Sequence, residues 1–578
     1  MKTSTNAFDI CRAYLTDHRH LLLPDDVKVI EGMLRSRNVP GLATLSSRLY
    51  CSEYHTAARW KCLLQFEAFF KKCQDLKVDI DTEAAAMASF DSSEQRCLNT
   101  NRTLDEWYLE PEETRAFQSE VEHMKRFIAN VLGPFSAFLE ELPERIKLTS
   151  GATSTRPRSE SIPFMKVSKR PVCTHGAYPY LQALSTLWGY GKLVPRLTVW
   201  NRVVTVLKNW KTKRTIAAEP EGNLPLQLAA NSFVVDRLRM KTRIDLSSQL
   251  RNQEMAREGS MTGGFATVDL ESASNTLAYN PVCLLLEQDW FQYAASVRSP
   301  CYKRDGVIKS YHMFSSMGNG LTFGLETLIF AAACHAVGSS KAIVYGDDII
   351  IETHLVESLR DLLNFLGFIF NSDKSHWDGP YRESCGKHWF SGEDVTPLFL
   401  RRQAGCKADL CHIVNTLVRL GQPGSGLWQE AKRITREANL PLVPFNGIST
   451  SGVWVDIQTA YDRKLVVYKR KTQSVWVKVY AYKAKLEPVY DMRALFLWHL
   501  SKTGVQKTQV QKAYALDLYR VAHKLDAFPA DEYADMDTPR TSVPTDATWV
   551  RKWVVFIPEY RRYHPPGLWA WGEYVTAS

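Results

Sequence analysis

The sequence predicts an α+β protein, and three observations predict it. Strand-like runs occur at 197–207 and 266–270. A helix is expected over 355–366, where Leu355, Leu359, Leu362, Leu363 and Leu366 share one face. Between these, Tyr345-Gly346-Asp347-Asp348 separates two short apolar runs, Ala342 to Val344 and Ile349 to Ile351, as the tip of a β-hairpin would. Strands and helices mixed in this way are the α+β pattern.

The first 150 residues read as mainly helical. The stretch 56–73 sets Trp60, Leu63, Leu64 and Ala68 on one face and ends in Lys71 and Lys72, a stripe expected to pack in a core. From 148 to 171 the composition turns to Ser, Thr, Pro, Arg and Lys. That is either a linker or a basic loop facing a polyanion, and Arg156, Arg158, Lys166, Lys169 and Arg170 favour the loop. After Arg402 the pattern is helical again, and 466–490 then alternates Val, Tyr and Trp with Lys and Arg. The tail 549–574 is rich in Trp, Tyr, Arg and Pro. Such interleaving can stack bases and pair phosphates, or it can be cations lying over a packed aromatic sheet.

With 578 residues and 45% hydrophobic content the chain can fill several cores, which excludes a tail or linker. Seventy-two Lys and Arg against 62 Asp and Glu leave a net charge of +10, compatible with a polyanion partner and with an ordinary enzyme. Twelve cysteines form no Cys-x-x-Cys pair. Cys406, Cys411 and His412 lack a fourth ligand nearby, so no zinc site is expected there. Cys62, Cys283 and Cys334 lie in apolar stretches and are expected to be buried, reduced thiols, which fits a reducing cytoplasm. Neither a leader-like apolar segment nor a run of roughly 18 to 20 apolar residues is seen, so no membrane association is expected and the protein should work where it is made.

Adjacent aspartates at a turn repel each other and suggest a divalent metal partner, although a solvated surface hairpin is the bland alternative. About 75 residues upstream, Asp269 ends the β-prone run Ala266-Thr267-Val268 and precedes Ser272, Ala273 and Ser274. From a neighbouring strand it would complete a site for two cations, one activating a hydroxyl and one stabilising a leaving pyrophosphate; a helix cap is the competing reading. Between the carboxylates lies a Gly and Ser loop, Ser315 to Phe323. There Ser316, Gly318, Asn319 and Thr322 could admit a nucleotide and bond its ribose, or could merely lead into the apolar helical stretch 325–337. Arg202, Lys208, Lys211, Lys213 and Arg214 form a run that is either a solvated face or a triphosphate grip. Lys374, in Asn371-Ser372-Asp373-Lys374, could protonate a leaving pyrophosphate as a general acid.

The order of these pieces resembles the palm and fingers motifs of viral RNA-dependent RNA polymerases. It is closer still to the replicase catalytic (β) subunits of the single-stranded RNA bacteriophages, the MS2- and Qβ-like group. The likeness rests on Ser316-Met317-Gly318-Asn319-Gly320 with Thr322-Phe323 and Leu325-Glu326, on Tyr345 to Ile350, and on Arg382 to Gly386 continuing to Gly392 and Asp394-Val395. It covers about 203–402.

The resemblance implies a right-hand polymerase with fingers, a palm of antiparallel sheet flanked by helices, and a thumb. The expected divisions are 1–260 for the N-terminal region and fingers, 261–402 for the palm, and 403–578 for the thumb and basic, aromatic C-terminal region. It implies RNA-directed RNA synthesis without a primer, with Asp269, Asp347 and Asp348 as ligands of two Mg2+ ions for which Mn2+ could substitute. Lys208, Lys211 and Arg214 would grip the incoming NTP. Template and product RNA, host elongation factors Tu and Ts and an OB-fold ribosomal protein are the implied partners, in the cytoplasm of an infected bacterium. Two departures stand out. Asn275 occupies the place of a usual aspartate that reads the ribose 2′-hydroxyl, with Glu271 replacing a small residue before it, and Lys208 follows Val206-Leu207 where a proline is common. A reverse transcriptase and a non-catalytic RNA-binding protein or translational repressor are the rival readings.

Overall fold

The computed structural model describes residues 6–48, 56–147, 149, 151–156, 171–187, 192–403, 406–445, 449–472, 474–483 and 548–555. Arg158, Lys166, Lys169 and Arg170 of the expected basic loop, and the tail beyond 555, lie outside the described residues.

Two large cores organise the chain. One gathers apolar side chains between Leu104 and Phe370 around the helix Thr322–Ala336. That helix is apolar on nearly every face, so it can be stable only if enclosed, and twelve of its fifteen residues are buried. The helices Gln118–Leu132 and Asn223–Thr242 pack along it. The other core joins the first 76 residues to 390–454. Chain order and packing therefore part company, because the N-terminal helices lie against the helices that follow Arg402. The helix Ala7–His18 packs on Gly426–Glu437, and the Asp17 carboxylate accepts from the Gly426 and Leu427 amides at 2.8 and 3.0 Å, satisfying orphan donors at that helix start.

The helix expected over 56–73 runs Ala57–Lys71, capped by the Thr56 side chain. Its burial is wider than the apolar stripe, since Gln65 and Glu67 are also enclosed. Both are matched: Gln65 exchanges two 2.8 Å bonds with the Leu398 backbone, and Glu67 accepts from the Ser46 amide and hydroxyl.

Two sheets position the site. A three-stranded antiparallel sheet has Asp348–Glu352 at its centre, flanked by Phe265–Val268 and Ile343–Tyr345. A four-stranded sheet runs Lys213–Ala218, Trp200–Leu207, Cys301–Arg304, Val307–Ser310, in which the expected basic run becomes the hairpin joining the first two strands. The helix expected over 355–366 forms at Val356–Phe365. Beyond Arg402 come Lys407–Leu420 and Gly426–Glu437 as expected, and also a parallel pair, Leu442–Pro444 with Val453–Val455, that the helical pattern concealed. The basic, aromatic region forms antiparallel strands Val466–Lys469, Ser474–Lys483 and Thr548–Val555.

Cys62 and Cys334 are buried thiols, but Cys283 is exposed, on a short helix whose apolar face is formed by Val282, Leu284 and Leu285. Arg156 is also a correction, because it is buried against Glu221 and does not face a polyanion. No helix among the described residues is long and apolar enough to cross a membrane.

Candidate active site

The hairpin between Ile343–Tyr345 and Asp348–Glu352 closes through Gly346 and Asp347. Gly346 has φ +60°, and a Cβ there would stand 2.6 Å from the Phe323 ring, so a side chain is excluded on both counts. Its amide donates to Thr327 Oγ1 at 3.1 Å, which fixes the tip to the buried helix Thr322–Ala336. In the sheet Val268 pairs with Ile349, so one step further along the same register Asp269 falls opposite Asp348. The segment 370–376 runs along the other side of the Asp269 strand through bridges from Leu270 to Phe370 and from Thr267 to His376. That segment delivers Lys374.

Lys374 Nζ lies 2.8 Å from Asp269 Oδ2, and Asn371 Nδ2 donates to Oδ1 at 2.9 Å. Asp347 is exposed at the hairpin tip, whereas Asp269 and Asp348 are half-buried. Desolvation raises the pKa of Asp269 despite Lys374. It raises Asp347 too, helped by the charge of Asp269. Asp348 is pushed up to about 7, by desolvation first and then by Glu383, Asp347 and Asp269. Lys374 responds in the opposite sense: burial pulls it down, but Asp269, Glu383 and Asp347 together outweigh burial and hold the ammonium above its ordinary value. Among the described residues no group of three or more His, Cys, Asp or Glu side chains is drawn close enough to hold a metal ion. The donor set nevertheless fits a hard divalent cation, because three carboxylates at one sheet end are held up in pKa by burial and their mutual repulsion.

The basic hairpin faces this cluster. Lys208 is lowered by desolvation, then by Arg214 and Lys374, with Asp269 and Asp347 opposing, which puts Lys208 and Arg214 within electrostatic range of the carboxylates. Arg214 likewise acts on Asp347. Lys211 stands exposed in the hairpin loop, its backbone amide bonded by Asn209 Oδ1 at 3.1 Å. Lys213 turns away and pairs with Glu83, which also accepts from Thr205 Oγ1 at 2.7 Å.

The Gly and Ser loop is packed against that hairpin. Gly318 has φ +113°, and a Cβ on it would meet Ala217 O at 2.3 Å; the neighbouring Met317 carbonyl accepts from the Ala217 amide. Asn275 Oδ1 accepts from the Met317 amide at 3.2 Å, and its Nδ2 reaches Thr215 Oγ1 at 3.4 Å, so it ties the loop to the hairpin strand. Asn319 and Thr322 were expected to offer groups to a ribose. In the structure both are buried and engaged within the loop: Asn319 Oδ1 accepts from the Leu321 amide, and Thr322 Oγ1 donates to Ser315 Oγ at 2.8 Å. Ser316 is buried too. These residues shape the backbone that borders the cleft.

Glu383 and Glu326 stand inside the sequence motifs, yet the sequence suggests no role for either. Arg382 points into the protein, and Glu383, next along the strand Tyr381–Ser384, turns its charge on Asp348, Asp269 and Lys374. Glu326 is buried behind the hairpin tip, accepts from Ser274 Oγ at 2.9 Å, and is raised to about 8 by burial and then by Asp347. A lone acid inside an apolar helical run was the signal for it. In the helix Lys407–Leu420 His412 bonds Ser449 Oγ through Nδ1 at 2.7 Å.

What this geometry defines is an acidic, cation-seeking centre on an antiparallel sheet, bordered by a basic hairpin. The model of the family described as RNA replicase, beta-chain matches residues 19–434, and the chain belongs to that family. It is 38% identical over 377 residues to the RNA-directed RNA polymerase subunit beta of Enterobacteria phage SP, covering 64% of this chain and 65% of that protein. Against the Escherichia virus Qbeta subunit it is 39% identical, covering 60% of each. The Escherichia phage MS2 beta chain is 37% identical over 40% of this chain and 43% of its own length. The matches to the first two thus span about 60 to 65% of the length of those relatives. Among solved structures, the RNA-dependent RNA polymerase of a human picorbirnavirus aligns over 73% of this chain and 91% of its own at 10% identity and a TM-score of 0.33.

Proposed function

We propose that the chain is an RNA-directed RNA polymerase that copies the genome of a single-stranded RNA phage by primer-independent nucleotidyl transfer. The observation that carries the reading is the convergence of Asp269, at the end of one strand, with the Asp347-Asp348 tip on the strands paired to it. Asp269, Asp347 and Asp348 would hold two Mg2+ ions, or Mn2+ in their place. Such ions lower the pKa of an attacking 3′-hydroxyl and stabilise the leaving pyrophosphate.

The chain's own groups do the remaining tasks. Lys208 and Arg214 accept the triphosphate, with Lys211 at the loop as a further cation. Gly318 and its neighbours hold the cleft border against Ala217, and Asn275 anchors that border where a ribose would lie. Lys374 is charged and close to Asp269, so it can pass a proton to the pyrophosphate once its carboxylate partner is neutralised. In right-hand terms 1–260 would hold the N-terminal region and fingers, 261–402 the palm, and 403–578 the thumb and the basic, aromatic C-terminal region. By family likeness the working enzyme takes template RNA and NTPs and joins elongation factors Tu and Ts and an OB-fold ribosomal protein in the host cytoplasm.

The test is incorporation of labelled NTPs against dNTPs on an unprimed RNA template with magnesium, with and without the elongation factors. NTP incorporation that vanishes in Asp347→Ala is the expected result. Near-normal incorporation by that variant would sink the proposal, and dNTP preference would favour reverse transcription.

A further inference from the structure

We propose that the exposed surface formed by residues 461–471 is a second binding site for single-stranded RNA, separate from the carboxylate cleft. The stretch holds Arg463, Lys464, Lys469, Arg470 and Lys471 against one acid, Asp462. All five cations are exposed, and among the described residues none of them forms an ion pair. The one acid is engaged, since Asp462 Oδ1 accepts from Gln458 Nε2 at 3.0 Å. Two tyrosines stand among these cations, Tyr461 at 69% exposure and Tyr468 at 58%.

The surface is held in place from below. Val455, Ala460 and Leu465 form a small buried cluster under the helix Ile457–Asp462 and the strand Val466–Lys469. Lys464 takes φ +55° in the turn between them, and the Leu465 amide closes that turn on the Ala460 carbonyl at 2.8 Å. The cations and tyrosines therefore project from a packed turn and an edge strand.

The bland account is that lysines on an edge strand guard against unwanted strand pairing, and that cations rest on aromatic rings. It explains Lys469, whose Nζ sits 3.8 Å from the Trp476 ring centre. It does not explain Arg463, Lys464, Arg470 and Lys471, for which no ring contact is found among the described residues. Nor does it explain two large aromatic rings left in water beside them. Unpaired cations interleaved with exposed tyrosines match a polyanion whose bases have free faces, which is single-stranded nucleic acid; an acidic protein would match the cations only. The surface also lies beyond residue 434, where the family match ends, and it is argued from its own side chains without the carboxylate centre.

The test is the affinity of the full chain for an unstructured RNA of about 16 nucleotides, measured across a salt series. The variant Arg463→Gln, Lys464→Gln, Arg470→Gln, Lys471→Gln should bind about tenfold more weakly or worse, and its log-log salt slope should be shallower by up to about 3, at roughly 0.7 for each phosphate no longer neutralised. A charge-retaining variant, Arg463→Lys with Arg470→Lys, controls for folding and should bind like the parent. Tyr468→Ser should weaken binding about tenfold without changing the slope. In the parent, ultraviolet crosslinking should place RNA on the peptide holding Tyr461 or Tyr468. Unchanged affinity and slope in the four-fold variant, or a crosslink map without that peptide, overturns the proposal. With these results intact, a parent chain that incorporates no NTP would count against the polymerase reading alone.

Discussion

Arg382 and Asp348 stand on neighbouring strands of one small region, yet their charges are treated in opposite ways. Arg382 is fully buried, and its guanidinium donates to the carbonyls of Phe265, Trp377, Asp378, Gly379 and Tyr381 at 2.7 to 3.3 Å. Five carbonyl acceptors, with no ion pair among the described residues and only the charge of Asp378 acting nearby, make it a structural rivet between the strand Phe265–Val268 and the turn before Tyr381. Asp348 is surrounded by Glu383, Asp347 and Asp269, which add to desolvation in raising it to about 7. The first charge is completed by the fold and the second is left for something else to complete. Charge that the protein itself does not compensate is therefore the better marker of chemistry here, ahead of burial alone.

The largest expected effect comes from removing the uncompensated charge. Asp348→Asn should lower NTP incorporation by about 10³-fold or more, while its thermal midpoint without magnesium stays equal to the parent's or rises, because a repelling charge is gone. Magnesium should raise the parent's midpoint and not the variant's, since only a site that binds the folded state adds stability. A variant that keeps the magnesium shift would mean that Asp348 is not a ligand.

Arg382→Met reverses the pattern. Removing the donor of the buried Phe265 carbonyl, together with the clamp on the turn carbonyls of Trp377, Asp378, Gly379 and Tyr381, should cost about 3 kcal/mol in denaturant unfolding. Mild effects on stability would show that water can replace the guanidinium, and the contrast with Asp348 would collapse.

The same contrast explains what could be read from sequence. The hairpin was legible because Gly346, two aspartates and flanking apolar runs obey a local rule, and strand pairing then needed only Asp269 from one neighbour. The amphipathic helix at Val356–Phe365 was legible for the same reason. The loop residues were located but their contacts were not, since nothing local says that Asn319 and Thr322 bond within their own loop or that Asn275 braces Met317. Glu383 and the packing of the first 76 residues against 390–454 depend on contacts between distant parts of the chain, which periodicity cannot register. Cys283 shows the limit of reading burial from apolar neighbours, because a helix carries both faces in one short stretch.

Gly318→Ala tests the cleft border and should have a smaller effect than Arg382→Met. A Cβ 2.3 Å from Ala217 O at φ +113° must displace backbone, and about 2 kcal/mol of stability should be lost. If the loop only shapes the cleft, the KM for NTPs should rise more than kcat falls. An unchanged KM would separate the loop from nucleotide binding.

Glu326 gives the mildest expected change, and its sign can be worked out. Its folded pKa, about 8, lies above the ordinary value of 4.5, so between those values the folded state holds a proton that the unfolded chain has released. The parent's stability should therefore be greatest below about 4.5 on this account and fall as the pH rises towards 8. Glu326→Gln keeps an acceptor for Ser274 Oγ and cannot ionise. The midpoint difference between variant and parent should move in the variant's favour from about pH 5 to about pH 9, with incorporation at neutral pH changed by less than about tenfold. A difference that is flat with pH would mean that Glu326 is ionised behind the hairpin. In that case the charge facing Asp347 would be part of the centre's electrostatics, and the boundary between completed and uncompleted charge would have to include it.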